Sequence, residues 1–247
     1  MKADPSAQQA LLELQEQDSV LAQLNHRRAH LPEHAEIAAA DERIRALDGR
    51  RIEVQTRVSD LQRAQKKADQ EVELVKTRRT RDEDRLASGA ITNPKDLASL
   101  QSELEALARR IGTLEDDELE VMEQLESAQA ELAEVLAQLD AENATRDGLV
   151  AARDEKATAI EAEAARAAAA RTDVLPRVPE ALFTLYQKVA ANHGGLGAAT
   201  LNARRCGGCH LEINGADLRE LAAEPADAVV RCPECSRILV RTSESAV

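Results

Sequence analysis

The sequence predicts a mainly α fold, in which a long antiparallel coiled-coil hairpin is followed by a small C-terminal β domain. Three observations support this prediction. Apolar residues recur at alternating spacings of three and four over two long segments, a turn-forming link separates these segments, and two Cys-x-x-Cys motifs lie near the end of the 247-residue chain. We expect residues 1–173 to form the coiled-coil rod and residues 174–247 to form the second domain.

The first helix is amphipathic and precedes Pro32. Its apolar face is formed by Leu11, Leu14, Leu21, Leu24 and Leu31. Because proline lacks a backbone N–H and its ring clashes with the preceding turn, we expect a kink or break near residue 32.

Two apolar seams follow this break. The first runs from Ile37 to Val75 and the second from Leu97 to Leu139, where Glu118 is the one charged residue. Heptads sustained over this length predict a coiled coil, and two seams imply two paired helices.

The link between the seams predicts a tight reversal of the chain. In residues 88–94, Gly89 can end one helix, Asn93 can cap the next and Pro94 fits a first helical turn. The two helices are therefore expected to be antiparallel, with the hairpin tip at 88–94. The predicted register places Val121 beside Val58, Leu125 beside Val54, Leu132 beside Leu47, Val135 beside Ile44, and Ala128 opposite Arg51.

The second domain is predicted to begin where Pro176 and Pro179 end the long helix. A short amphipathic helix is expected at residues 180–192, with Phe183 and Tyr186 packing a small core. Short strands are expected at residues 198–201, 228–231 and 238–241.

The four cysteines of the chain predict a tetrahedral metal site. Cys206, Cys209, Cys232 and Cys235 form two Cys-x-x-Cys knuckles, and Zn²⁺ is commonly bound by four thiolates in this spacing. We expect one structural Zn²⁺ per chain and a zinc-ribbon domain, in which the metal substitutes for a large core. A catalytic zinc would need an open position, which four thiolates do not leave.

Alternative uses of the cysteines fit the sequence less well. Disulfides need an oxidising compartment, and the N-terminal residues lack the apolar core of a secretory signal. The string Cys206–His210 also matches a haem attachment motif, but haem would leave the second knuckle unexplained. His210 could replace one cysteine as a ligand, although an outer position is favoured.

Composition favours long exposed helices over a large globular core. The chain has one Phe, one Tyr and no Trp, while 31% of its residues are charged. No apolar run is long enough to span a membrane, and we expect a cytoplasmic protein.

The scattered histidines form no catalytic constellation, and no Gly-rich phosphate loop is present, so an enzyme is not expected. His26, His30 and His34 recur at a helical spacing that could bind metal or sense pH, but Pro32 would disturb this stripe.

Charge argues against non-specific nucleic-acid binding by the whole chain. The net charge is −13, and 24 basic and 36 acidic residues precede Thr172. Two basic clusters nevertheless make a nucleic-acid interface the alternative to a protein interface. One is Arg204 and Arg205 beside the first knuckle, and the other, near the hairpin tip, consists of Lys76, Arg78, Arg79 and Arg81.

The tip residues 88–97 and the ending at Cys232–Leu239 resemble a bacterial family with a coiled-coil hairpin and a C4-type zinc ribbon. Its members include flagellar-biogenesis and type III secretion-associated zinc-ribbon proteins. The resemblance implies that the four cysteines bind zinc and that Ser236 stands where glycine is common. It also implies a non-enzymatic adaptor that binds unidentified protein partners, with a nucleic-acid-associated zinc-ribbon factor as the alternative. The oligomeric state is left open.

Overall fold

The computed structural model describes residues 1–245, which form five α-helices and one four-stranded sheet. The helices are α1 (Pro5–Ala29), α2 (Glu33–Ala87), α3 (Pro94–Val174), α4 (Glu180–Ala191) and α5 (Gly215–Ala223). The strands are β1 (Ala198–Asn202), β2 (Arg205–Cys206), β3 (Val230–Arg231) and β4 (Ile238–Arg241), and a 3₁₀ turn at Leu175–Arg177 follows α3. None of the helices within these residues combines the length and apolar character needed to cross a membrane.

The predicted break at Pro32 is confirmed, because α1 ends at Ala29 and α2 begins at Glu33. The start of α1 is capped by Asp4, whose carboxylate accepts a hydrogen bond from the Ser6 backbone N–H at 2.8 Å. The pKa of Asp4 is lowered by a hydrogen bond from the Ser6 hydroxyl and, to a smaller extent, by this backbone contact.

The two long helices form the predicted hairpin. At its tip Gly89 has a φ of 65°, a left-handed conformation that favours glycine. The Asn93 side chain accepts a hydrogen bond from the Lys95 N–H at 3.0 Å, and Pro94 occupies the first turn of α3.

The chain divides into two compact units. The hairpin unit comprises Ala35–Leu149, and the cysteine unit comprises Met1–His34 together with the chain from Val150 onward. The expected division of the chain into two domains, at residues 173 and 174, stays a prediction.

The predicted register of the hairpin is wrong by one heptad. Ala128 packs with Val58 and Leu125 in one buried cluster, and Leu61 and Leu132 cover that cluster. Val58 lies seven residues after Arg51, the side chain expected opposite Ala128. The observed register places a valine beside the small alanine, and the Arg51 side chain bonds to Asp48 on its own helix at 2.8 Å.

Cross-helix ion pairs accompany this register. Glu131 on α3 forms ion pairs with both Arg50 and Arg57 of α2, and Arg43 of α2 forms an ion pair with Glu142 at 3.1 Å. The arginine-rich face of α2 therefore meets the acidic stretch of α3. Surface pairs of this kind contribute little stability individually, but they favour one partner and orientation.

The sheet of the cysteine unit has the strand order β2-β1-β4-β3. Strands β1 and β4 pair in parallel, and β2 and β3 pair antiparallel at the two edges. Residues 238, 239 and 240 of β4 are all buried, which shows that both faces of the sheet are covered. Side chains alternate between the faces of a strand, so two separate layers must pack on this sheet.

Helices α1 and α4 cover one face. Ile238 and Val240 of β4 pack there with Leu11 and Leu14 of α1 and with Tyr186 of α4. The expectation that Tyr186 packs the core is therefore confirmed, and Phe183 lies partly buried against the same cluster.

Polar side chains fix α1 against this unit. The buried Gln15 accepts hydrogen bonds from the backbone N–H groups of Gly197 and Ala198 at 2.7 and 3.2 Å. The Tyr186 hydroxyl donates to the Asp18 carboxylate at 2.6 Å. Burial, together with this carboxylate, raises the pKa of Tyr186.

The cysteines cover the other face. Leu239 of β4 packs there with Leu201 of β1, Cys206 and Cys232, and α5 contributes Leu218 and Leu221 at the margin. Strands β1 and β4 agree with the prediction, whereas β3 is shorter than the expected strand at 228–231, and α5 and β2 were not predicted.

Candidate metal centre

The first knuckle, Cys206–Cys209, is held by the edge strand β2. Cys206 pairs with Leu201 of β1, and the next N–H, that of Gly207, donates to the Thr200 carbonyl at 2.8 Å. The Gly208 N–H lies 3.4 Å from the Cys206 sulfur, and the His210 N–H donates to the Cys206 carbonyl at 2.8 Å. These bonds turn the chain so that both sulfurs point to the same side.

The second knuckle, Cys232–Cys235, closes the turn between β3 and β4. The Cys232 N–H donates to the Arg237 carbonyl at 2.9 Å, and the Ser236 N–H donates to the Cys232 carbonyl at 2.8 Å. Ser236 has a φ of 61°, so a serine occupies a left-handed position that favours glycine. The serine that stands here in place of the common glycine therefore affects the turn, and both cysteines keep their positions.

The structure brings all four predicted cysteines together. Their Sγ atoms lie within 4.8 Å of one another, and the pairs Cys206–Cys235 and Cys209–Cys232 are each separated by 3.9 Å. Four thiolates about 2.3 Å from a tetrahedral Zn²⁺ are about 3.8 Å apart. The four sulfurs therefore fit a zinc ion in size and donor type.

Burial and hydrogen bonding give the thiols different acidities. Burial raises the pKa of Cys206, and it raises the pKa of Cys232 to about 12. Burial also opposes ionisation of Cys235, but hydrogen bonds from the backbone and side chain of Arg237 and from neighbouring thiols lower its pKa to about 7. Of these three thiols, Cys235 loses its proton most readily, and a bound cation would favour ionisation of the buried Cys206 and Cys232.

The histidines are not part of this cluster. His210 is exposed with a φ of 61°. The ring of His26 on α1 stacks on that of His30, the residue after this helix, with centroids 3.9 Å apart, whereas His34 lies beyond the Pro32 break on α2. Within residues 1–245, the four cysteines form the single cluster of three or more such side chains that could hold a metal ion.

The cations of the predicted tip cluster are largely paired with carboxylates. Lys76 contacts Glu115 at 2.8 Å, Arg78 contacts Glu103, and Arg79 contacts Glu83 at 2.9 Å. These carboxylates neutralise the groups that would otherwise attract phosphate.

Beside the first knuckle, Arg204 pairs with Glu212 at 3.3 Å, and both side chains are more than half exposed. Arg205 is also exposed, and it forms a β-bridge with Glu212. The basic cluster expected at residues 204 and 205 is therefore adjacent to a carboxylate.

Two family models match this architecture. Residues 14–194 match the CT398-like coiled coil hairpin domain, and residues 205–239 match the C4-type zinc ribbon domain. The chain belongs to the CT398-like coiled coil hairpin family. The predicted family resemblance is confirmed, and the ribbon match covers all four clustered cysteines.

Relatives of this CT398-like protein share its full length. An uncharacterized protein of Mycobacterium tuberculosis is 36% identical over 241 residues, which cover 98% of each chain. A solved Mycobacterium smegmatis structure is 33% identical, with a TM-score of 0.85 over 98% of this chain and all of the other. CT398 from Chlamydia trachomatis is 20% identical and has a TM-score of 0.68 over 96% of this chain and 98% of its own, a likeness in fold.

These matches establish the class of the metal centre. A C4-type zinc ribbon with four clustered cysteines holds one structural zinc ion, as the sequence predicted. The two domain types are consistent with a structural or adaptor role, and neither matched family is catalytic.

Sequence reasoning gave no role to Arg237, which follows the second knuckle by two residues. Its side chain donates to the Leu196 carbonyl at 2.9 Å and passes over Gly208 of the first knuckle, from which it is distant in sequence. A basic residue two positions after a Cys-x-x-Cys motif was the available signal, but its neighbours become visible only when the two knuckles are adjacent.

Proposed function

We propose that this CT398-like protein is a non-enzymatic adaptor that binds protein partners through its coiled coil and its zinc ribbon. In this proposal Cys206, Cys209, Cys232 and Cys235 are the four ligands of the structural zinc. With every position of the tetrahedron taken by sulfur, the ion stabilises the ribbon and does not activate water. The adaptor function then depends on exposed surfaces.

The observation that carries the proposal is that four of the six cations at the two candidate nucleic-acid sites contact carboxylates. Lys76, Arg78 and Arg79 contact carboxylates near the hairpin tip, and Arg204 contacts Glu212 beside the ribbon. A phosphate backbone would have to displace these carboxylates on a chain with a net charge of −13. This cost weakens the alternative of an RNA- or DNA-associated factor.

The hairpin unit offers apolar contact points for a protein. Leu119 and Leu136 of α3 are 57% and 43% exposed, and Ile52 and Leu74 of α2 are 55% and 72% exposed. Large aliphatic side chains at exposed coiled-coil positions can be covered by a partner, which would remove their apolar area from water.

Affinity capture from the native cell, with chemical cross-linking, tests the protein interface. We expect the zinc-loaded chain to retain specific proteins whose cross-links map to α2, α3 or the ribbon. Replacing Leu119 and Leu136 with Asp should weaken capture of the partners cross-linked to the hairpin, while ribbon cross-links persist. The matched control replaces the exposed, uncharged Ser127 and Gln129 of α3 with Asp, which adds the same two negative charges. Equal capture by all three proteins would contradict an apolar hairpin interface.

A salt titration tests the alternative. Labelled RNA and DNA should show no binding at physiological salt, and weak binding at low salt should fall as counterions are added. Tight binding that is abolished when Arg204 and Arg205 are both replaced by Glu would support the nucleic-acid-associated factor and overturn an adaptor specific for proteins. Replacing the exposed Lys188 and Arg219 with Glu provides the control with the same change in net charge.

A further inference from the structure

Strand β3 forms one edge of the four-stranded sheet, and part of its outer side is open. Within residues 1–245 its one partner strand is β4. Just before β3, the N-terminal residues pair with the same edge, since the Val229 N–H donates to the Met1 carbonyl at 3.1 Å and the Ala3 N–H donates to the Asp227 carbonyl at 2.8 Å. This pairing is a single bridge between Lys2 and Ala228, and it does not extend along β3 itself.

Arg231 of β3 directs its backbone N–H and carbonyl toward this open side. Hydrogen-bonded and non-hydrogen-bonded pairs alternate along an antiparallel ladder. The Cys232 N–H donates to the Arg237 carbonyl at 2.9 Å, so the preceding pair, Arg231 with Ile238, is not hydrogen-bonded. Ile238 accordingly donates its N–H to the Gly197 carbonyl on its other side. The Arg231 backbone groups therefore point away from β4, where an added strand can pair with them.

A cleft of about 510 Å³ lies beside this edge. It is lined by α5 and by the chain around β3, and we call it the β3 cleft. Its apolar lining includes Leu221 of α5 and Val229 and Pro233 on either side of β3. Arg231 also lines the cleft, which places the open part of the edge beside it. The volume falls within the range of ligand pockets, about 300–1,000 Å³.

The side chains of the β3 cleft carry an excess of negative charge. Three carboxylates of the α5 segment line it, those of Asp217, Glu220 and Glu224. None of the three forms an ion pair within residues 1–245. Of the two basic side chains in the lining, Lys2 is neutralised by Asp227 at 3.0 Å, and Arg231 donates its Nε to the Ser236 carbonyl at 2.8 Å. The charge of the cleft thus complements a basic ligand.

We propose that the β3 cleft binds an extended, basic segment of a protein partner, which pairs with Arg231 as an added strand and presents lysine or arginine side chains to α5. This inference rests on the proposed adaptor function and names the chemistry of one partner. In such binding, main-chain bonds supply affinity and alternate side chains supply specificity. Because α5 packs on the cysteine face of the sheet, every second side chain of the segment faces α5.

Capped, fluorescein-labelled peptides test the charge preference. One peptide alternates valine with lysine, the other alternates valine with glutamate, and fluorescence anisotropy measures their binding to the zinc-loaded full chain at physiological salt. We expect the lysine peptide to bind and the glutamate peptide not to bind. Replacing both Glu220 and Glu224 with Gln should weaken the lysine peptide about 5-fold, since two exposed ion pairs together contribute about 1 kcal/mol.

A second double variant controls for the acidity of the whole chain. Glu155 and Glu180 are exposed in the same unit and do not line the β3 cleft, so replacing both with Gln makes the same change in net charge. This variant should bind the lysine peptide as wild type does. Equal weakening by the two double variants, or equal binding of the lysine and glutamate peptides, would overturn the proposal, because the attraction would then not be located in the cleft.

Proline at position 231 tests the added strand. Arg231→Pro removes the outward N–H and no bond to β4, whereas Arg231→Ala removes the side chain and keeps that N–H. We expect Arg231→Pro to bind the lysine peptide about 5-fold more weakly than Arg231→Ala, the effect of losing one hydrogen bond of about 1 kcal/mol. Far-UV circular dichroism and zinc content show whether both variants are folded.

Backbone methylation of the lysine peptide gives an independent measurement if Arg231→Pro fails to fold. One version is methylated at the valine nitrogens and the other at the lysine nitrogens. Only one of these sets faces β3, so one version should lose binding and the other should keep it. Binding that survives both methylations, or no binding of the parent peptide, would overturn the edge site. The adaptor function would still stand if captured partners cross-link to α2 or α3, and it fails separately if no protein partner is captured.

Discussion

At the scale of single residues, the ribbon contains three non-glycine residues in the left-handed conformation, Ala203, His210 and Ser236, where glycine would cost less. Ser236 has a φ of 61° in the second knuckle turn, and Ala203 has a φ of 50° between β1 and β2. Left-handed backbone costs an L-residue about 1–2 kcal/mol, whereas glycine adopts it readily.

Replacing Ser236 with Gly should therefore stabilise the zinc-loaded cysteine unit by up to about 1 kcal/mol, since relief of strain exceeds the added entropy of the unfolded chain. Thermal unfolding followed by Tyr186 fluorescence measures the change. Ala203→Gly should act in the same direction. Ala222→Gly is the matched control, because Ala222 is exposed in α5 and its replacement should lower stability by about 0.5–1 kcal/mol. A lower unfolding temperature for Ser236→Gly would show that the turn tolerates serine without strain.

At the scale of elements, the hairpin shows which features a heptad pattern determines. The apolar repeat and the Gly89–Pro94 link were sufficient to predict two antiparallel helices and their ends. The register was not determined, because a shift of one heptad again brings aliphatic residues together. Two features distinguish the observed register. Ala128 is buried with Val58, and Glu131 forms ion pairs with Arg50 and Arg57. These contacts depend on which heptads meet, which the repeat does not encode.

The charged seam position Glu118 should limit hairpin stability near neutral pH. Its pKa is raised by hydrogen bonding to Asp69 on α2, then by burial and by the Asp69 charge, and Lys76 partly offsets this. A pKa raised by folding means that the stabilising contribution of the protonated form is present at low pH and is lost as pH rises through the folded pKa. Glu118→Leu should therefore raise the unfolding temperature of the hairpin more at about pH 7 than at about pH 4.

Far-UV circular dichroism during heating at the two pH values measures this effect. Glu126→Leu is the control, because Glu126 is exposed on the same helix outside the seam, and its effect should be small and independent of pH. An equal gain from Glu118→Leu at both pH values would mean that repulsion with Asp69 contributes nothing.

At the scale of the whole molecule, the cysteine unit uses a sheet with two different cores. Ile238 and Val240 face the helices α1 and α4, and Leu239 faces the side that holds Cys206 and Cys232. The sequence predicted the strand and the metal site, because an apolar run and paired knuckles are local patterns. It did not reveal that α1 belongs to this unit, because the contacts of Leu14 and Gln15 with residues near 197 and 238 connect distant parts of the chain.

Zinc removal should disturb one unit and spare most of the other. The metal holds the two knuckles on one face of the sheet, so chelation should unfold the ribbon and expose Tyr186, the only tyrosine in a chain without tryptophan. The hairpin unit has its own buried cluster around Val58, Leu125 and Ala128, so far-UV helicity should largely persist.

Matched core substitutions make this test specific. Leu14→Ala in the cysteine unit and Leu125→Ala in the hairpin unit each remove the same side-chain atoms, at a cost of about 2–5 kcal/mol. We expect Leu14→Ala to lower the temperature of the Tyr186 fluorescence transition, and Leu125→Ala to lower that of the main helical transition, with the other transition changing little in each case. Loss of most helicity on chelation would contradict this independence. Coincident shifts of both transitions by either substitution would contradict it as well, because they would require the helical seam and the zinc ribbon to unfold as one cooperative structure.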